Sequence, residues 1–258
     1  MKSVIIYSYF KTEVADYNLD FFIKNEISYK SNIDYIIVIN GFECSFEFPN
    51  LENLTIYKRE NSGYDFGAHS YALEKIKDKK YDYYFFMNSG VFGPVLKKEY
   101  KNNHWTNIFI NKINKKVKLV GTTIVCLPKT DGGGLGPKVE GFFFMTDKLG
   151  LGILQKQQTI FTNHRNKVRA ILDGEYGLSN CILKNGYSID CMIPEYQGID
   201  WTNKVNWYKN SNKHPSRKNS FYGKSLNPYD MIFHKWYWKN MDKVNFDLID
   251  EYKKSITP

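Results

Sequence analysis

Apolar positions in the first ninety residues fall into short buried runs separated by amphipathic stretches. Ser3 to Tyr9 (SVIIYSY), Asp34 to Asn40 (DYIIVIN), Leu54 to Lys58 (LTIYK) and Tyr81 to Met87 (YDYYFFM) have the length and bounding residues of strands. Between them, Asn18 to Ser28 and Ala68 to Lys77 carry apolar residues at helical spacing, as at Ala68, Tyr71, Ala72 and Ile76. Strands that alternate with helices predict an α/β fold with a mostly parallel central sheet and helices on both faces. A ligand of such a sheet sits beyond the carboxyl ends of its strands.

The pattern continues less regularly. Val117 to Cys126 reads as a strand pair or one long strand, and Asp131 to Gly136 (DGGGLG) as a glycine-rich loop. Val139 to Met145 (VEGFFFM) is a further strand, Tyr176 to Asn185 a helix ended by Gly186, and Tyr187 to Cys191 the strand after it. Asn203 to Asn227 is polar and rich in lysine and asparagine, an extended loop able to order over a bound ligand. We read residues 1–258 as one domain, without internal repeats.

Composition narrows the classes. No run of about 18 apolar residues exists, so no transmembrane segment is expected, and the N-terminus lacks the features of a cleaved leader; a cytoplasmic protein is the expectation. Cys44, Cys126, Cys181 and Cys191 are scattered without a CxxC pair, which argues against a zinc site or a disulfide framework. The net charge of +9 attracts phosphates of any kind. Because the lysines are spread along the whole chain and no nucleic-acid motif is present, a nucleic-acid partner is not expected.

Four segments carry candidate chemistry. In RENSGYDFGAHSYAL (Arg59 to Leu73), Asn61, Gly63 and Gly67 form a tight turn before a helix whose N-terminus offers N–H groups to an anion such as a diphosphate. There Asp65 can take a ribose hydroxyl, cap the helix or help hold a divalent ion. In MNSGVFGP (Met87 to Pro94), Asn88 and Ser89 end a strand with neutral oxygens where a metal site would need acids. In LDGEYGLSNCILKNGYSID (Leu172 to Asp190), Glu175 is the first candidate for a general base and Asp173 the second; acids at a helix start also simply suit its dipole. In NPYDMIFHKWYW (Asn227 to Trp238), His234 and Lys235 stand among aromatics, within reach of a metal or of donor phosphates, or merely packed.

Together with YSYF at the opening strand, VEGFFFM and MIPEYQGIDW (Met192 to Trp201), these segments resemble the glycosyltransferases of the rhamnan synthesis protein F type and related enzymes encoded by large algal viruses. The resemblance implies a GT-A fold, a nucleotide-sugar donor (UDP-, GDP- or dTDP-linked) and a glycan or glycoprotein acceptor, with rhamnose or another hexose transferred. It places Tyr9 and Phe10 near the nucleobase, Asp65 near the ribose or diphosphate, and Asn88 and Ser89 at the metal motif. The donor-binding set, within residues 1–95, is Tyr9, Phe10, Asn40, Asn61, Gly63, Asp65, Gly67, Asn88 and Ser89; the acceptor and catalytic half, residues 96–258, holds Glu175 as base of an inverting transfer. Mn2+ or Mg2+ would be held largely by the donor phosphates, by Asp65 or by the distant His234, since many relatives read NDS where this chain has Asn88, Ser89 and Gly90. Two other readings of the same fold are a retaining enzyme, in which Glu175 orients substrate, and a catalytically silent nucleotide-sugar or glycan-binding protein.

Overall fold

The computed structural model describes residues 1–100, 103–127, 135–238, 242–243 and 250–254. A seven-stranded sheet runs in the order β3-β2-β1-β4-β8-β5-β9. Its strands are β1 (Ser3–Phe10), β2 (Ile33–Asn40), β3 (Leu54–Arg59), β4 (Tyr83–Asn88), β5 (Val117–Gly121), β8 (Phe143–Asp147) and β9 (Ser188–Cys191). β6 (Ile124–Cys126) and β7 (Pro137–Val139) form a separate antiparallel ribbon. Every pairing among β1 to β4 is parallel, as is β5 with β9; only β8 is reversed, against both β4 and β5. This is the expected α/β architecture with a mostly parallel sheet.

Helices cover both faces because the strands alternate between two apolar sets. Val4 and Ile6 of β1 face α2 (Tyr64–Lys75), α4 (Lys148–Lys156) and α6 (Tyr176–Lys184) through Phe66, Ala72, Leu154, Leu178 and Ile182. Ile5, Tyr7 and Tyr9 face α1 (Glu13–Asn25) and α3 (Trp105–Ile110) through Leu19, Phe22, Trp105 and Phe109. Burying both faces of a parallel sheet requires near-continuous apolar strands, and β1 and β2 are built that way.

Several boundaries differ from the sequence reading. VEGFFFM does not form one strand: β7 ends at Val139 and β8 begins at Phe143, with a turn at Gly141 and Phe142 between them. α1 starts earlier than expected, at Glu13, because Thr12 caps it by accepting the Ala15 N–H at 3.1 Å. α2 begins a turn early, at Tyr64, directly behind Gly63 (φ +74°). α6 does not begin a helix: α5 (Lys167–Arg169) and a π-helical stretch, Ala170–Glu175, run into it without a break. Asp173 and Glu175 therefore lie inside a helical run. Of the expected loop Asn203 to Asn227, Lys204–Asn212 winds into 3-10 turns. The Asp131 to Gly134 part of the glycine-rich loop lies outside the described residues. Among the described residues no helix is long and apolar enough to cross a membrane.

Candidate active site

Parallel register brings the carboxyl ends of β1, β2 and β3 into one row, Phe10 beside Asn40 beside Arg59, with Asn88 of β4 beside Ser8. A chain of hydrogen bonds joins these ends. Arg59 Nη1 donates to Asn40 Oδ1 at 3.0 Å, Asn40 Nδ2 to Ser8 Oγ at 3.2 Å, and Ser8 Oγ to Asp65 Oδ1 at 3.3 Å. Asn88 Nδ2 donates to Asp65 Oδ2 at 2.6 Å, and the Gly90 N–H donates to Asn88 Oδ1 at 2.9 Å. Asp65, on the first turn of α2, is thus the acceptor on which the network converges. Burial pushes its carboxyl above the usual range, against the pull of the Asn88 hydrogen bond, the Lys235 charge and Ser8; the Glu175 charge adds to the rise.

Two cavities open over this floor and share Phe10 and Asp65. One, of about 730 Å³, is walled by the first turn of α1, by Asn88 to Gly90, and by Lys167, Arg217 and Lys235. The other, of about 710 Å³, lies over Asn40, Asn61 to Tyr64 and Asn163 to Arg165. Each has the size of a small-molecule site. Phe10, 47% exposed, stands at the waist between them. Tyr64, at φ 57°, is a non-glycine residue held in the left-handed region on the rim, a strained conformation of the sort that gathers at ligand clamps.

The predicted site residues divide accordingly. Phe10, Asn40, Asn61, Gly63, Asp65, Asn88 and Ser89 line one or both cavities. Tyr9 does not: it is fully buried on the α1 face, its hydroxyl donating to Asp16. Alternation of side chains along β1 allows only one of Tyr9 and Phe10 to face the cleft, and Ser8 shares the Asp65 side of the strand. Gly63 and Gly67 do allow close approach, but by protein. A Cβ at Gly63 would stand 2.4 Å from Asn163 Cα, and one at Gly67 2.4 Å from Asn163 Oδ1. Asn163 crosses the start of α2, where its Oδ1 accepts from Arg59 Nη2 at 2.9 Å and His164 forms a bridge to Gly63.

Glu175 lines neither cavity and pairs with Lys138 at 2.7 Å. It is brought toward Asp65 by close packing, since Gly174 has no room for a Cβ against the Phe66 ring (2.7 Å) and the Glu175 stem lies against Gly141. A π-helical insertion at this point re-aims the helix, a feature frequent at functional sites. Asp173 lines neither cavity and is half-buried, 3.5 Å from Arg169. Lys138 also acts on Glu140, which is buried and takes hydrogen bonds from Thr123 Oγ1 (2.6 Å) and Ser216 Oγ (2.9 Å), with His214 Nδ1 at 3.1 Å. Burial alone would raise the Glu140 carboxyl; His214, Lys138 and Thr123 overcome it and hold the group at about 2.

The residues present do not fit a divalent metal. Asp65 is the one carboxylate of this floor, and each of its oxygens already accepts one hydrogen bond, from Ser8 or Asn88, and keeps only its remaining lone pair, while Asn88 Oδ1 accepts the Gly90 N–H. Asp65 and His234 do not share a cavity: His234 is 2% exposed in a small enclosed space with Thr122, Thr123 and Phe142, and burial lowers its imidazole to about 4. Among the described residues no group of three or more His, Cys, Asp or Glu side chains is placed to hold a metal ion.

Lys167, Arg217, Arg59 and Asn163 were missed from the sequence, where nothing in their local patterns sets them apart; Ser8 was missed although alternation along β1 puts it on the face of Phe10. No protein-family model matches the chain, and no curated protein matches it. Among solved structures it is similar to a mannosyltransferase from Pyrobaculum calidifontis in complex with GDP-Man and Mn2+, at 11% identity and a TM-score of 0.47 over 80% of this chain; the match spans 58% of that chain's length.

Proposed function

We propose that the chain is a glycosyltransferase of the GT-A type, taking its sugar from a nucleotide-sugar donor laid across the carboxyl edge of the sheet. The observation that carries this reading is the hydrogen-bonded floor from Arg59 through Asn40, Ser8 and Asp65 to Asn88 beneath two joined cavities. An exposed aromatic ring at the waist, Phe10, offers a stacking face to a nucleobase, and the Asp65 carboxyl beside it offers acceptors to ribose hydroxyls. The order of motifs from YSYF to NPYDMIFHK supports the same assignment.

In this reading the acceptor is a glycan or glycoconjugate, the sugar a hexose such as rhamnose, and Glu175 the base that takes the proton of the acceptor hydroxyl. Lys138, paired with Glu175 at 2.7 Å, positions that carboxylate. The Lys138 pair and the absence of Glu175 from the cavity walls favour one second reading, a nucleotide-sugar-binding protein without transfer.

A thermal-shift panel of UDP-, GDP- and dTDP-sugars tests the first reading. A donor at a hundred times its Kd adds about 2.7 kcal/mol to the native state, roughly a 5–10 °C rise in melting temperature. Failure of every nucleotide sugar to raise it refutes the proposal. Glu175→Gln separates the two readings: it retains donor stabilisation and loses transfer if Glu175 is the base, whereas normal turnover removes Glu175 from the mechanism. A wild-type chain that binds donor and neither transfers nor hydrolyses it is the silent protein.

A further inference from the structure

Lys167, Arg217 and Lys235 converge on the cavity that also holds Asp65, Asn88 and Ser89. Each arrives on a segment anchored independently. Lys167 opens α5 behind Asn166, whose side chain caps the turn by accepting the Arg169 N–H at 3.0 Å. Arg217 follows His214 and Ser216, both tied to the buried Glu140. Lys235 follows His234, whose backbone exchanges two hydrogen bonds of 2.9 Å with Phe92. Against these three cations the same walls carry two carboxylates, the half-buried Asp65 and the exposed Glu13. The 13-residue helix α1 turns its N-terminal end toward the same space through Thr12 to Ala15.

Resting on the glycosyltransferase reading, we propose that Lys167, Arg217 and Lys235 bind the donor diphosphate and stabilise it as leaving group in place of a divalent metal ion. A hard cation needs several oxygen ligands, and among the described residues the cavity offers as carboxylates only the half-buried Asp65, each oxygen of which already accepts a hydrogen bond, and the exposed Glu13. Ammonium and guanidinium groups deliver both charge and donors to phosphate oxygens, Arg through its planar fork. They meet the charge that develops on the diphosphate as the bond between its oxygen and the anomeric carbon of the sugar breaks and the glycosidic bond to the acceptor forms, and the N-terminal end of α1 at the same cavity adds to them.

The test is calorimetric titration of the full chain with UDP, GDP and dTDP, each in EDTA, Mn2+ or Mg2+, alongside the matching nucleosides. One nucleoside diphosphate is expected to bind within about twofold the same affinity with and without metal. Lys167→Gln, Arg217→Gln and Lys235→Gln are each expected to weaken it about tenfold, the loss of one charge-assisted hydrogen bond, and to leave nucleoside affinity unchanged. Lys167 is exposed on a first helical turn, so Lys167→Gln separates loss of charge from misfolding. Binding that requires Mn2+ or Mg2+, or three variants with wild-type affinity, overturns this inference and leaves the glycosyltransferase reading standing. No binding of any nucleotide under any condition overturns both.

Discussion

Replacing Gly63 by alanine combines two costs at the mouth of the cleft. At φ +74° an L side chain meets its own backbone, which costs about 1 kcal/mol. The new methyl would also stand 2.4 Å from Asn163 Cα, a full ångström inside the 3.4 Å of ordinary contact, and the obstacle is backbone rather than a movable side-chain end. Relieving it by shifting the 162–164 segment adds about 1–3 kcal/mol. The expected loss is therefore about 2–4 kcal/mol, or on the order of 5–15 °C in melting temperature for a chain of this size. Two other glycines calibrate the number. Gly198 shares the left-handed φ (+75°) with nothing within 4 Å, so Gly198→Ala isolates the strain at about 1 kcal/mol. Gly152 is exposed in α4 with open space around it, and Gly152→Ala should stabilise by about 0.5–1 kcal/mol. Thermal and urea melts of the three variants check the order, and equal losses at Gly63 and Gly198 would refute the role given to Asn163.

Two further predictions concern acid. His69 is fully buried with its imidazole lowered from 6.5 to about 4, so the unfolded chain binds a proton first and stability falls as pH drops below 6.5. This amounts to about 2 kcal/mol between pH 7 and pH 5, and His69→Leu should reduce the slope by that amount in urea melts at the two pH values, leaving the share of His234, whose imidazole is lowered likewise. Glu140 is depressed from 4.5 to about 2, so its contribution is complete above pH 4.5 and is lost as pH falls toward 2. Glu140→Gln should cost about 3 kcal/mol at neutral pH and flatten the stability curve below pH 4.5; an unchanged acid limb would contradict the ionised, paired carboxylate.

The legible part of the fold is the part written in local pattern. β1, β2 and β4 are buried on both faces, and SVIIYSY, DYIIVIN and YDYYFFM announce that as near-continuous apolar runs. The turn at Gly63, the Asp65 carboxylate and the strand end at Asn88 were legible for the same reason, since a ligand edge in a parallel sheet lies where such runs stop. What stayed hidden depends on partners far along the chain. Gly63 is needed because of Asn163, a hundred residues away. VEGFFFM reads as one strand because its pattern does not reveal that Glu140 is held inward by Thr123, His214 and Ser216. Lysines look alike in a basic sequence, and only the fold, which brings Lys167 to the cavity wall, distinguishes it from the solvated rest, whereas Lys235 stands out by its place in NPYDMIFHKWYW. The choice of Tyr9 over Ser8 was avoidable: period-two alternation in β1 already sets Ser8 and Phe10 on one face and Tyr9 on the other.

Acid should reach this site through its supports in a fixed order. His69 lies against Phe66, next to Asp65 in α2, and His234 carries Lys235; both imidazoles are held near 4 by burial, so both penalise folding from pH 6.5 downward. Glu140, which fixes Ser216 and thereby Arg217, is held near 2 and keeps its charge throughout that range. Between pH 6.5 and pH 5 acid therefore lowers the free energy of unfolding through the two imidazoles, while in the folded chain they stay neutral and the Arg217 anchor persists. Melting temperature should therefore fall between pH 7 and pH 5, and His69→Leu should blunt that fall, while the affinity of the folded chain for a nucleotide sugar changes only as pH nears 4, where the native imidazoles take protons; an affinity that falls around pH 6.5 would refute the neutral, buried imidazoles.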